Sequence, residues 1–275
     1  MCMLRRLLRR MIRLVHGAAV ARSGSDDDLG RSAMVFAPHF DDETLGCGGL
    51  ILRKRRIGAD VTVVFMTDGC TSHSNLMPGP ELAAIRQSEG LAACRALGVD
   101  DSKTVMLLLE ERTLKQRVEA AVESVAELLA RHRPAEVYIP YRKDGHDDHD
   151  ATNRIVLLAL RRAAHVAWVN EYPIWFWYKW PWVKVPFGNR RQTVDMVRRS
   201  VMSISGVPAL LRFRHRVAIA DVLDEKRAAL GQHVSQTTRL REGTRWPILG
   251  DVSDGEWLEC FFQGHEIFRR YLFRL

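Results

Sequence analysis

The stretch from Ala33 to Gly49 constrains the fold more than any other part of the chain. Ala33-Met34-Val35-Phe36-Ala37 is a short apolar run of the kind found in buried strands, and Pro38 ends it because proline cannot donate to a ladder. A loop follows, His39-Phe40-Asp41-Asp42-Glu43, carrying one imidazole and three carboxylates, and then a predicted helix over Leu45–Arg56 with Gly46, Gly48 and Gly49 in its first turns. Each glycine costs a helix about 1 kcal/mol relative to alanine, which is tolerable where something must come close to the backbone. A strand whose C-terminal end delivers polar side chains ahead of a helix is the usual place for an active site in an open α/β sheet. Carboxylates this close repel one another unless a cation neutralises them. His39 with one of the two aspartates therefore reads as part of a divalent-metal clamp, and the remaining carboxylate as a proton acceptor. The competing reading is local: Asp42 or Thr44 caps the next helix.

The same pattern recurs downstream. Strands are predicted at Val61–Met66, Thr104–Leu108 and Glu136–Ile139, with helices at Glu81–Leu97, Leu114–His132 and Ala151–Ala163. This alternation argues for a mainly parallel sheet with helices on both faces. Between the fourth strand and its helix lies Arg142-Lys143-Asp144-Gly145-His146-Asp147-Asp148-His149-Asp150, a second loop dense in imidazole and carboxylate. Two such loops at the C-terminal edge of one sheet would converge, and that convergence favours a metal site over helix caps.

Composition bounds the rest. The 275 residues are 47% hydrophobic, ordinary for a globular chain, so neither disorder nor a polytopic membrane protein is indicated. Of the formal charge of +8, residues 1–22 supply six arginines and no acid. The main domain is thus close to neutral, and with no zinc-finger spacing or RNA-binding aromatic signature, no nucleic-acid partner is expected. Leu4, Leu7, Leu8, Met11, Leu14 and Val15 fall at helical spacing among the arginines, a basic amphipathic helix over residues 4–18. It suits the headgroup region of an anionic membrane, or else an arm packed on the body; it is too charged for a secretory signal and too short to span. Ser23–Arg31 reads as a linker, giving segment and linker at 1–31 and one domain at 32–275. Five scattered cysteines without C-x-x-C spacing suggest free thiols in a reducing compartment, hence a cytoplasmic protein, with the N-terminal helix at a membrane face as the membrane-associated variant.

Tyr172–Trp182 holds four of the seven tryptophans between prolines and has three readings: a sugar-binding wall, an interfacial anchor or a secondary core. A strand at Val217–Ala220 and a helix at Leu223–Gln232 follow, with His233 at the helix end needing no role beyond the helix dipole. The tail from Trp257 to Leu275 reads as a docking strand or helix.

Pro38-His39-Phe40-Asp41-Asp42-Glu43-Thr44-Leu45-Gly46 resembles the H-x-D-D-E loop of the PIG-L/LmbE-like zinc deacetylases, and His146-Asp147-Asp148-His149 their second H-x-D-H loop. Thr67-Asp68-Gly69, Arg86-Gln87-Ser88-Glu89 and Lys226 through His233-Val234-Ser235-Gln236 are similar to the family's other signatures, so the likeness covers about residues 33 to 240. The resemblance implies a Rossmann-like α/β fold and removal of acetyl groups from N-acetylglucosamine-type amino sugars. It implies Zn2+, or another divalent metal, on His39, Asp42 and His149. It makes Asp41 the general base, puts His146 beside the developing oxyanion, has Asp148 orient an imidazole, and sets Arg86 on the substrate side. The chain departs from the pattern at Phe40 and Asp147, where the family often has proline, and at Asp144, where some members bear a catalytic tyrosine; no electrophilic tyrosine is therefore assigned. Two rivals are a non-haem iron oxygenase with a His/Asp/His triad, whose usual all-β fold the alternation opposes, and a non-enzymatic, membrane-recruited carbohydrate-binding module.

Overall fold

The computed structural model describes residues 11, 22–23, 26–185, 190–202, 211–241 and 245–275. The amphipathic helix expected over residues 4–18 falls outside these apart from Met11. The strands are β1 (Arg22–Ser23), β2 (Ala33–Ala37), β3 (Val61–Thr67), β4 (Thr104–Leu109), β5 (Glu136–Pro140), β6 (Ala167–Tyr172), β7 (His215–Ala218) and β8 (His265–Phe273). The longer helices are α1 (Asp42–Arg56), α2 (Gly79–Ala96), α3 (Val118–His132), α4 (Asp147–Arg162), α5 (Arg190–Met202) and α6 (Leu223–Gly231). The sheet order is β1-β7-β8-β6-β5-β2-β3-β4, parallel throughout except where β8 runs antiparallel between β6 and β7.

Alternate residues of each central strand feed different layers. Val35 and Ala37 of β2 join a core that includes Leu50 of α1 and Leu230 of α6. Met34 and Phe36 face the opposite layer with Val125 and Leu129 of α3 and Ile155 of α4. The expected α/β architecture with helices on both faces is what the chain adopts. Buried parallel strands are covered on both sides, which is why they show as unbroken apolar runs.

Several boundaries differ from the expectation. Helices α1 and α4 begin at Asp42 and Asp147 rather than at Leu45 and Ala151, so the polar residues of each loop form the first helical turn. The residue preceding α1 is Asp41, and no side chain caps that end, so the capping role considered for Asp42 or Thr44 is not what the structure shows. Strand β6 has no counterpart in the sequence reading. The tail resolves to a strand, β8, which is internal to the sheet. Part of the segment read as a linker pairs instead: β1 lies parallel to β7, and Asp28 meets Arg270 of β8 at 3.0 Å.

The glycines of α1 admit the protein's own core. A Cβ at Gly46 would fall 2.4 Å from the Tyr172 ring, and one at Gly49 would fall 2.5 Å from Ile219. The same part of α1 is clamped by a buried ion pair: Lys226 Nζ donates to Leu45 O, Phe261 O and Glu266 Oε1, while Glu266 accepts from the Gly49 and Leu50 N–H groups. Helix α1 is therefore fixed along its length before its N-terminal residues take up any role.

Candidate metal centre and active site

Strands β3 and β4 continue the sheet on one side of β2, and the chain then returns to place β5 on the other. The gap between the C-terminal ends of β2 and β5 is thus a topological switch point, where open α/β sheets bind their ligands. Both histidine and carboxylate loops open there. His39 Nδ1, Asp42 Oδ2 and His149 Nε2 form a buried triangle with edges of 3.1, 3.2 and 3.3 Å. Donors about 2.0–2.1 Å from a tetrahedral ion stand about 3.3 Å apart, so the triangle fits three ligands of one divalent cation. One nitrogen each from His39, His146 and His149 also lies within 4.8 Å of the others, a looser set. In that set, His146 already accepts the Asp148 N–H through Nδ1 at 3.3 Å.

Carboxylates back both ligand imidazoles. Asp148 Oδ2 lies 3.3 Å from His39 Nε2 and also accepts the Arg112 N–H. Asp144 Oδ2 lies 2.9 Å from His149 Nδ1. Burial alone would push the two rings' pKa values down. Bonds to Asp148 and Asp42 raise His39 to about 9, and the charge of Asp42 with the contact to Asp144 raises His149 to about 10. Asp42 is held well below the usual carboxylate range: burial pushes it up, but His149 and His39 outweigh that. Three carboxylates, Asp42, Asp144 and Asp148, thus stand against the imidazoles of His39 and His149, a donor set of the kind that holds and backs a bound cation.

Asp41 stands at the tip of the first loop with φ 129°, a left-handed conformation that costs a non-glycine residue about 1–3 kcal/mol. Three contacts impose it. Glu43 Oε2 accepts the Asp41 N–H at 3.0 Å, Arg86 Nη2 donates to Phe40 O, and the Phe40 ring is buried against Phe65. The Phe40 ring fits because Gly90 leaves room; a Cβ there would fall 2.5 Å from the ring. Burial pushes the Asp41 carboxyl up to about 7, against the pull of Arg86 at 3.6 Å. A carboxyl in that range suits proton transfer near neutral pH. His146 is held neutral by burial and by its imidazole neighbours, at about 4. With Nδ1 accepting, its remaining proton is on Nε2, available to an acceptor.

All seven residues singled out from the sequence lie in or against this centre. Arg86, expected on the substrate side, is 2% exposed and sits behind the loop, bonded to Phe40 O. Three further residues take roles that the sequence reading did not assign: Glu43, His233 and Asp144. Glu43 is fully buried and joins His233 Nε2 at 2.8 Å, so His233 braces the Asp41 loop rather than merely ending a helix. Asp144 backs His149 and also accepts the N–H groups of Ile174, Trp175 and Phe176. Its place in the same loop, five residues before His149, was the available signal. Trp175 stands at the rim, its ring 6.2 Å from His146 and stacked on Trp257 at 4.9 Å. The rest of the tryptophan stretch divides: Trp177 and Trp182 are core, and Trp180 is exposed. Asp147 is exposed and pairs with Lys115. The four described cysteines are free thiols.

Residues 34–160 match the PIG-L family, described as GlcNAc-PI de-N-acetylase. Over 254 residues the chain is 30% identical to the 1D-myo-inositol 2-acetamido-2-deoxy-alpha-D-glucopyranoside deacetylase of Mycobacterium sp. (strain JLS), covering 78% of this chain and 77% of that protein. It is 28% identical over 236 residues to the probable N-acetyl-alpha-D-glucosaminyl L-malate deacetylase 2 of Bacillus cereus, covering 83% of this chain and 94% of that protein. In fold it is similar to the N,N'-diacetylchitobiose deacetylase from Pyrococcus horikoshii, with a TM-score of 0.62 at 20% identity over 88% of this chain and 84% of that one.

Proposed function

This chain belongs to the PIG-L family, and from that premise we propose that it is a divalent-metal amidohydrolase removing the acetyl group from an N-acetylglucosamine-type amino sugar. The single observation that carries the reading is the buried triangle of His39 Nδ1, Asp42 Oδ2 and His149 Nε2. Two imidazoles and one carboxylate leave room in a tetrahedral shell, the arrangement of hydrolytic zinc sites, and we assign Zn2+ as the resident ion. When bound, such an ion acts as a Lewis acid toward a carbonyl oxygen and makes water a stronger acid near neutral pH.

The protein's own groups do the rest. Asp41 accepts a proton from water as the water oxygen adds to the acetamide carbon. His146 donates its Nε2–H to the oxygen that gains charge, a contribution of about 3–4 kcal/mol for one well-placed donor. Collapse breaks the C–N bond, and the sugar nitrogen takes the proton from Asp41, leaving acetate and a free amine. Asp148 fixes the ring of His39, and Asp144 that of His149. Arg86 supports Asp41 from behind, and Trp175 offers an aromatic face at the rim of the kind on which sugar rings stack.

The setting we propose is cytoplasmic. Its support is the set of free cysteines, with segment 4–18 as a candidate membrane contact; no described helix is long and apolar enough to cross a membrane. Both rivals fare worse. The oxygenase would be at home in an all-β fold, and a sugar-binding module has no use for a buried ligand triangle with a carboxyl beside it. Acetate release from N-acetylglucosamine conjugates on different carriers, before and after chelation and with Zn2+ restored, tests the assignment. No chelator-sensitive release from any N-acetyl amino sugar would reject it.

A further inference from the structure

Residues 175–214, the excursion between β6 and β7, contain eight Lys and Arg but one acid, Asp195. Residues 23–174 contain 18 Lys and Arg against 23 Asp and Glu, so the excess of positive charge is local to the excursion and the N-terminal segment. Within it, α5 turns Met196 and Ser200 inward. A second line of the same helix, Val194, Val197 and Val201 at i, i+3 and i+7, faces solvent; these three and Met202 are 47–77% exposed. Trp180, 55% exposed, is tied to this helix by its N–H, which donates to Ser200 Oγ at 3.0 Å. Arg190, Arg191 and Arg198 are exposed beside the valine line. The one acid is occupied within the helix, with Asp195 Oδ2 accepting from Arg199 Nε at 2.7 Å.

We propose that the outward face of α5, with Trp180, docks on an anionic lipid bilayer. An apolar stripe flanked by arginines and accompanied by an exposed tryptophan is the composition of an interfacial helix. Charge decides between occupants. A second copy seated on this face would bring basic surface against basic surface, whereas anionic lipid complements it. The face is also linked to the chemistry. Arg199 Nη1, on the side of α5 away from the valine line, donates to Gly145 O at 2.8 Å, next to His146, so the docking helix is bonded to the segment that carries His146. This surface is separate from residues 4–18, and the proposal stands whether or not the deacetylase reading does.

The test is binding of the full-length protein to phosphatidylcholine vesicles with and without phosphatidylglycerol, in parallel with acetate release from a water-soluble substrate. Binding is expected to favour the anionic vesicles. The combined Arg190→Gln, Arg191→Gln, Arg198→Gln variant is expected to weaken that binding roughly 100-fold, the product of three basic groups at an anionic surface. Val194→Ser, Val197→Ser, Val201→Ser together should weaken it as well, and Trp180→Phe should reduce fluorescence quenching by lipids brominated in their acyl chains. All of these variants should keep their helical circular dichroism and their acetate release. Binding that disappears with Arg5, Arg6, Arg9, Arg10 and Arg13 changed to Gln but is unaffected by the α5 variants would overturn the proposal. So would a serine variant that turns a dimer into a monomer without changing vesicle binding, which would make the face a contact between copies.

Discussion

The two loops that build the metal centre are held in different ways. Loop 38–42 is fixed from the interior: Phe40 is fully buried, Arg86 holds its carbonyl, and the Glu43–His233 pair anchors the strained backbone at Asp41. Loop 141–146 is fixed from outside the sheet. Arg142, Lys143 and Gly145 are exposed, and its brace is Asp144, which binds the backbone of 174–176 at the start of the basic excursion. The rigid loop supplies the proton acceptor and two ligands, functions that tolerate little displacement. The helix that follows the second, α4, supplies the third ligand, His149, and His146 stands at the end of the loop beside it. The proton acceptor and two ligands thus come from a loop held by buried groups, and the third ligand follows a loop with exposed residues at 142, 143 and 145.

The largest effect should come from removing a ligand in either loop. His39→Ala and His149→Ala are both expected to lose bound metal by elemental analysis and to lower acetate release roughly 1000-fold. Asp147→Ala, at the exposed first residue of α4, should leave both unchanged. A metal-replete His149→Ala protein would break the claim that the two loops share one ion.

Next in size is the interior brace. His233→Ala takes the imidazole from beside the buried Glu43 carboxyl and leaves that group short of a hydrogen bond, a loss of about 1–3 kcal/mol measured by urea unfolding. Unchanged stability would mean that the first loop is not anchored as described. The brace of the second loop should act on the ion more than on the fold. Asp144→Asn is expected to weaken metal affinity about 10–100-fold and to alter tryptophan fluorescence through Trp175. Metal affinity equal to wild type would dissociate the excursion from the site.

The smallest effect lies at the far end of the excursion, on β7. Burial, followed by the charge of Arg270, lowers His215 to about 4. The folded state therefore binds fewer protons than the unfolded chain between about pH 4 and 6.5. The stability this group contributes is complete above about pH 6.5, falls as pH drops toward 4 and is flat below. Solvent screening of this partly exposed ring leaves roughly 1 kcal/mol. His215→Gln should remove that slope from unfolding free energies measured across the range, with no change in metal content.

The parts legible in the sequence were those where burial and periodicity agree. Strands β2, β3 and β5 are apolar on both faces, and the two loops interrupt them with residue types that have few structural uses together. The starts of α1 and α4 were hidden because Asp42–Thr44 and Asp147–Asp150 are polar for the sake of the site, so apolar periodicity begins only at Leu45 and Ala151. Strands β6 and β8 were obscured by buried charge. Glu171 lies within the sheet and meets Arg269 and Tyr271, and Arg270 meets Asp28 and Glu136. Partners about a hundred or more positions apart cannot be matched from one sequence. The role of His233 was illegible for the same reason, since its partner Glu43 lies 190 positions away, whereas Asp144 stands in the same loop as the ligand it backs.

The division of labour between Asp41 and Asp42 is the core of the account, and one comparison tests it. Purified Asp41→Asn and Asp42→Asn proteins are analysed side by side for bound metal and for acetate release. Asp41→Asn is expected to keep its metal while losing roughly 100- to 10,000-fold in rate, as removal of a general base does, and Asp42→Asn to lose the metal as well. A metal-free Asp41→Asn protein beside a metal-replete Asp42→Asn protein would contradict it.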